Sequence, residues 1–230
     1  MRYDYGDREF QVLCDIANQQ VVDLDPVSPA NQLPFLRNFP PFKGQFERFR
    51  KNNRTISDIL QKHIDTHLEK HDPENANDYI DVYLNEVKAS EARGEDYFNL
   101  DQLRIVIFSL FGAGSETTST TLRWALLFLV KHPDVYKKVQ AEIDDVIGRG
   151  RLPSMSDKAK MTYTEATIFE IQRLGNIVPL SIPHVCTEAF ELNGYNIPAE
   201  TRVLGNLTAI MMDPAYFPDP ERFNPVGAYA

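Results

Sequence analysis

The chain has 230 residues, 43% of them hydrophobic, enough for one large domain or two small ones with a sizeable core. Its formal net charge of -9 argues against a nucleic-acid partner and against a polybasic membrane patch. Two cysteines, Cys14 and Cys186, with no CxxC spacing point to a reducing compartment rather than a disulfide scaffold. No apolar run approaches the roughly 18 residues of a membrane span, and Met1-Arg2-Tyr3-Asp4 opens no signal-peptide core.

In chain order, the spacing of Phe10, Leu13, Ile16 and Ala17 predicts a helix over 7–22. Five prolines between Pro26 and Pro41 are interleaved with Leu33, Phe35, Leu36 and Phe39. Such apolar residues need burial, so this is an ordered connection and not a flexible linker. A long helix is predicted over about 45–69, with Phe46, Phe49, Ile56, Leu60, Ile64 and Leu68 on one face. Its His63, His67 and His71 are spaced by four, which could pair ligands for zinc. No HExxH pattern is present and the neighbours are charged, so a solvated face is the expectation. A shorter helix follows over about 78–89.

The run from Leu100 to Lys131 contains no proline, and Asn99 and Gln102 have the spacing of a capping box. His132-Pro133 ends it, because the residue before proline is pushed out of the helical region. Such a helix spans about 48 Å. Both ends are apolar almost all round, which predicts a path through the centre of a domain. The middle, Ala113-Gly114-Ser115-Glu116-Thr117-Thr118, breaks that pattern with a glycine, a carboxylate and consecutive hydroxyls. Glycine and threonine weaken a helix, and hydroxyls compete for backbone carbonyls. The stretch reads either as a polar stripe or kink, or as an acid–alcohol pair set at a widened turn for proton delivery.

Pro133 is placed as the first residue of an amphipathic helix capped by Gly148. Thr162 and Glu165 have capping-box spacing before a helix over about 163–174, on which Glu170 and Arg173 share a face. From Val178 the character turns to short β runs. Asn193-Gly194 is a strong hairpin signal between 190–192 and 195–197. Residues 201–207 are a further strand candidate, and 213–223 read as proline-rich coil.

Three landmarks in one order, Ala113-Gly114-x-Glu116-Thr117, Glu170-x-x-Arg173 and Pro220-Glu221-Arg222-Phe223, resemble the cytochrome P-450 haem-thiolate monooxygenases of the family-2 microsomal type. GRGRLPSMSDKAKMTYTEATIFEIQRLGNIVPLSIPH is similar to that family from its J helix to the strand after its K helix, and RYDYGDREF to the segment entering its F helix. The implied fold is mainly α with a small β region: F to K helices, K-helix strands and the start of the meander. That makes 1–230 one incomplete domain, with 1–177 mostly helical and 178–230 strands and coil. The family's N-terminal anchor, its C-helix Trp/Arg pair and its cysteine-bearing FxxGxRxCxG loop have no counterpart here. The resemblance therefore implies a partial record, inactive alone, with neither Cys14 nor Cys186 nominated as iron ligand.

The resemblance also assigns roles. Glu116 and Thr117 match the pair that relays protons, while Ala113 and Gly114 match small residues that let the helix pass close to the haem. Glu170, Arg173 and Arg222 match a structural charge triad. His184 matches a propionate donor, with a loop histidine capping a backbone carbonyl as the alternative. Phe108, Val178 and Ile182 match positions lining the substrate pocket. The implied activity is hydroxylation of a small lipophilic molecule using haem, dioxygen and electrons from NADPH through a reductase. The implied place is the cytosolic face of the endoplasmic reticulum, with membrane contact through the anchor only. The rivals are an inert helical fragment acting at most as a binding module, and a peroxide-using isomerase or dehydratase. Intact Glu116-Thr117 disfavours the latter.

Overall fold

Leucine and isoleucine stripes at helical spacing build the first half of the molecule. The computed structural model describes residues 3–4, 6–23 and 28–227, and it divides into two units, one up to Glu116 and one from Thr117. The first unit holds α1 (Arg8–Asp23), α2 (Pro29–Gln32), a 3-10 turn (Pro34–Asn38), α3 (Phe42–Lys70), α4 (Tyr79–Arg93) and the first half of α5 (Leu100–Lys131). Its core takes Leu13 and Ile16 from α1, Ile56, Leu60 and Ile64 from α3, Ile80, Tyr83, Leu84 and Val87 from α4, and Leu103 and Ile107 from α5. Each set recurs every three or four residues, so one face of each helix meets the others. Fully burying one such side chain contributes about 1.5–3 kcal/mol.

The helix ends follow their local chemistry. Asp78 accepts hydrogen bonds from the N–H groups of Ile80 and Asp81 to start α4, and Gly94 at φ 71° closes it. Asn99 Oδ1 accepts from Gln102 N at 2.9 Å at the start of α5. The proline-rich connection is ordered into α2 and the 3-10 turn, but the burial expected of its apolar residues is not seen, since Leu33, Phe35 and Phe39 are exposed; Pro26 lies outside the described residues.

The second unit holds the rest of α5, α6 (Pro133–Val146), α7 (Thr162–Gly175), four short strands and α8 (Leu207–Met211). Val135, Ile171 and Phe223 form its buried core, flanked by Phe128, Leu129, Val139, Tyr163 and Leu174. Phe223 stacks on Phe128 with ring centroids 4.9 Å apart. β1 (His184–Val185) pairs antiparallel with β4 (Arg202–Val203), and β2 (Phe190–Leu192) with β3 (Tyr195–Ile197). Asn193 and Gly194 both take positive φ in the β2–β3 turn, as a two-residue hairpin of this hand requires.

Three expectations change. Residues 201–207 are not one strand: after β4, the Asn206 side chain accepts from Ala209 N at 3.1 Å and starts α8. The Thr162/Glu165 box does not cap α7. Met161 is its N-cap, and Glu142 of α6 accepts from Tyr163 N and Thr164 N instead. Finally, only Leu103 and Ile107 of α5 are buried, and Leu122, Leu126 and Val130 are well exposed. The described residues cover one stripe of this helix rather than its circumference. No helix among the described residues is long and apolar enough to cross a membrane.

Candidate functional site

α5 carries the acid–alcohol pair. The backbone is α-helical from Leu100 to Lys131 without a break, so the polar middle is accommodated inside a continuous helix. The hydroxyls do compete for carbonyls there, since Thr121 Oγ1 donates to Thr117 O at 2.8 Å. Glu116 is half-buried and Thr117 exposed. As neighbours in a helix they point about 100° apart around its axis. One turn earlier, Ala113 and Gly114 are exposed, and a Cβ added at Gly112 or Gly114 would meet nothing within 4 Å. This stretch offers open room and no side-chain bulk on its outer face.

Earlier on α5, Phe108 packs against the first unit's core. It lines a cavity of about 330 Å³ with Phe49, Leu60, Ile105 and Arg104. In the second unit, Val178 lines a cavity of about 210 Å³ beside Trp124, Ile171 and Met211. Ile182 is exposed in the loop before β1. His184 begins β1 opposite Val203 and its side chain is exposed. Phe108, Ala113, Gly114 and Glu116 belong to the first unit, and Thr117, Val178, Ile182 and His184 to the second.

The best-defined polar cluster is at Glu170 and Arg173 of α7, 2% and 5% exposed. Arg173 Nε donates to Glu170 Oε2 at 2.7 Å and Nη2 to Oε1 at 2.9 Å, a bidentate fork. Nη1 donates to the carbonyls of Met211 and Pro220 at 2.7 and 2.8 Å. Glu170 Oε1 also accepts from Asn224 N at 2.9 Å, and the guanidinium lies 4.6 Å from the Phe217 ring centroid. Arg222 enters differently from the expected third charge. Its side chain is exposed and makes no ion pair with Glu170, and its carbonyl lies 3.4 Å from Arg173 Nη2. Arg222 thus offers Arg173 a backbone acceptor and supplies no third charge to the pair.

Two features escaped the sequence. Glu142 Oε2 also accepts from Thr164 Oγ1 at 2.6 Å. Burial pushes its carboxyl up, but the hydrogen bonds from Thr164 and Tyr163 outweigh this and hold it below the ordinary glutamate value. The α3 histidines are not a solvated face. His63 Nε2 lies 2.9 Å from Glu9 Oε1 and 3.0 Å from the Tyr3 hydroxyl, while His67 Nε2 lies 2.9 Å from Asp78 Oδ2. His67, Asp78 and Asp81 bring ligand-type atoms within 4.8 Å of one another, but both acids already bind backbone N–H groups around the start of α4. Only partners from other elements reveal these pairings.

The family model described as cytochrome P450 matches residues 1–226, and the chain belongs to that family. It is 42% identical over 226 residues to cytochrome P450 2C29 of Mus musculus. It is 40% identical over the same length to cytochrome P450 2C25 of Mesocricetus auratus. Cytochrome P450 2B4 of Oryctolagus cuniculus is 38% identical over 234 residues. Each match takes in 97% of this chain and 46% of the relative, so the chain spans about half the length of the curated relatives it matches.

A haem fits the residues present on the one face they offer. The open Gly112–Gly114 stretch leaves space where a larger side chain would stand. Cys14 and Cys186 are half-buried, and the Cys186 backbone is hydrogen-bonded to Thr201 and Glu200. Neither is assigned as an iron ligand.

Proposed function

We propose that this chain forms part of a haem-dependent monooxygenase that hydroxylates a small lipophilic substrate, using dioxygen and NADPH-derived electrons from a cytochrome reductase at the cytosolic face of the endoplasmic reticulum. The observation that carries this is the open Ala113–Gly114 stretch one turn ahead of Glu116 and Thr117 on an unbroken helix. Haem, when bound, supplies the oxygen and electron chemistry, and the protein supplies binding, orientation and protons.

Ala113 and Gly114 would hold the helix close to the ring by presenting no bulk. His184 would donate to a propionate from the exposed start of β1. The Thr117 hydroxyl would orient water and pass on a proton, and the Glu116 carboxylate, half-buried and so still reached by solvent, would replace it. Phe108 of the first unit, and Val178 and Ile182 of the second, match family positions that line the substrate pocket, and their apolar character selects lipophilic molecules without fixing one structure. Glu170 and Arg173 are fold residues, buried and mutually paired.

The test is Thr117→Ala in the completed enzyme, haem-loaded and supplied with reductase. Proton delivery by a positioned group contributes about 10²–10⁴-fold. The variant is expected to lose coupling between NADPH use and product, with peroxide release rising in proportion. Unchanged coupling would remove Thr117 from the proton path.

A further inference from the structure

Where the end of α3 meets the start of α4, one histidine and two aspartates come together. His67 Nε2 lies 2.9 Å from Asp78 Oδ2. One ligand-type atom from each of His67, Asp78 and Asp81 lies within 4.8 Å of the others. Each of the three side chains is also held by a backbone group. His67 Nδ1 meets the His63 carbonyl at 2.8 Å. Asp78 Oδ1 accepts from Ile80 N and Asp81 N at 2.9 and 3.2 Å, and Asp81 Oδ2 accepts from Asn77 N at 2.9 Å. Partners of this kind orient metal ligands, and an Nδ1–H donated to a carbonyl turns Nε2 toward the ion.

Counting protons points the same way. A carbonyl cannot donate, so the contact with His63 places an N–H on His67 Nδ1, and a neutral imidazole has no second hydrogen for Nε2. The nitrogen and carboxylate oxygen 2.9 Å apart therefore need a positive charge between them, either an extra proton or a metal ion. An ion about 2.0–2.2 Å from both would see them at an angle of about 90°, so the pair does not have to open. Two ligands of one ion lie at most about 4.2 Å apart at these lengths, so Asp81 has to move by about 0.6 Å at most. The side chains of His67 and Asp78 are 22% and 36% exposed, which gives an ion a path in from solvent. One imidazole with two carboxylates suits zinc, which has no d-electron preference against that angle, better than magnesium, which takes oxygen ligands. His63, one turn earlier on α3, stands outside the set because Glu9 and Tyr3 engage its Nε2.

We propose that His67, Asp78 and Asp81 bind one divalent ion of the zinc class, with water in its remaining positions, and that the ion pins the end of α3 to the start of α4. The site uses no residue assigned to the haem or the substrate, and it stands or falls apart from the monooxygenase function.

The experiment titrates the chain with zinc chloride near neutral pH by calorimetry, with magnesium chloride as the control. Saturable binding of one zinc is expected, and no saturation by magnesium over the same range. His67→Gln removes the imidazole and should weaken zinc by at least about tenfold. Asp81→Asn, which keeps an acceptor for Asn77 N, should weaken it to a similar degree. His63→Gln keeps the backbone carbonyl that holds His67 and should leave the affinity unchanged. Excess zinc should raise the unfolding midpoint of the unaltered chain and leave that of His67→Gln where it was. Absent saturation, an equal response to magnesium, full zinc binding by His67→Gln, or loss of binding in folded His63→Gln would each overturn the proposal. Should the variants fail to fold, the ring resonances of the unaltered chain decide alone: zinc should shift those of His67 ahead of the other histidines, and a His67 ring left unmoved at saturation would end the assignment.

Discussion

Replacing Glu170 by glutamine tests whether the α7 fork is two charges or three. Glu170 and Arg173 are buried and bidentate, so removing one charge leaves the other in a low-dielectric site, at a typical cost of about 3–5 kcal/mol. Two observations place this case at the lower end. Arg173 retains the carbonyls of Met211 and Pro220 and the face of Phe217. Against that, Asn224 N loses its charged acceptor. The expected loss is about 3 kcal/mol. Urea unfolding followed by fluorescence of Trp124, the single tryptophan, reads the second unit, because Trp124 stacks on Phe128 beside its core. At a slope of about 1–3 kcal/mol per M, the midpoint should fall by 1 M or more. Arg222→Ala is the companion variant. Its side chain is exposed and its carbonyl survives the change, so the expected effect is within about 0.5 kcal/mol. A loss below about 1 kcal/mol for Glu170→Gln, or an Arg222→Ala cost matching it, would refute the two-charge account.

Other outcomes follow from the same geometry. Glu142→Ala removes the acceptor for two backbone N–H groups and one hydroxyl at the start of α7, and should cost about 1–2 kcal/mol, read as hydrogen exchange at Tyr163 and Thr164. For His67, burial pushes the imidazole down, but the His63 carbonyl and Asp78 outweigh it and the ring titrates above its ordinary value. Its contribution to stability is thus complete below about pH 6.5 and is lost as pH rises through the higher folded value. An NMR titration of His67 in the folded chain checks this, and a midpoint below the free value would contradict it.

Much of the fold could be read where a residue acts on its own neighbours. Pro133 and Asn99 bounded α5, and Asn193-Gly194 set the β2–β3 turn, because each fixes backbone within four residues. Errors arose where the partner came from elsewhere in the chain. Glu142 sits 21 residues before Tyr163, and His63 finds Glu9 54 residues away. Neither has a local signature. At the candidate site, Glu170 and Arg173 were visible as a spaced pair. Whether Arg222 reaches them by side chain or by carbonyl is a question of loop path, which residue type does not encode.

The cap that Glu142 lends to α7 also bears on the order of assembly. A helix of 14 residues is marginal on its own in water, and this one lacks a side-chain cap of its own. A peptide spanning 161–176 should fray through its first turn until α6 docks. Glu170 and Arg173 are carried by that helix, so their burial would complete after the α6–α7 hairpin has formed, making the fork a late product of folding rather than its nucleus.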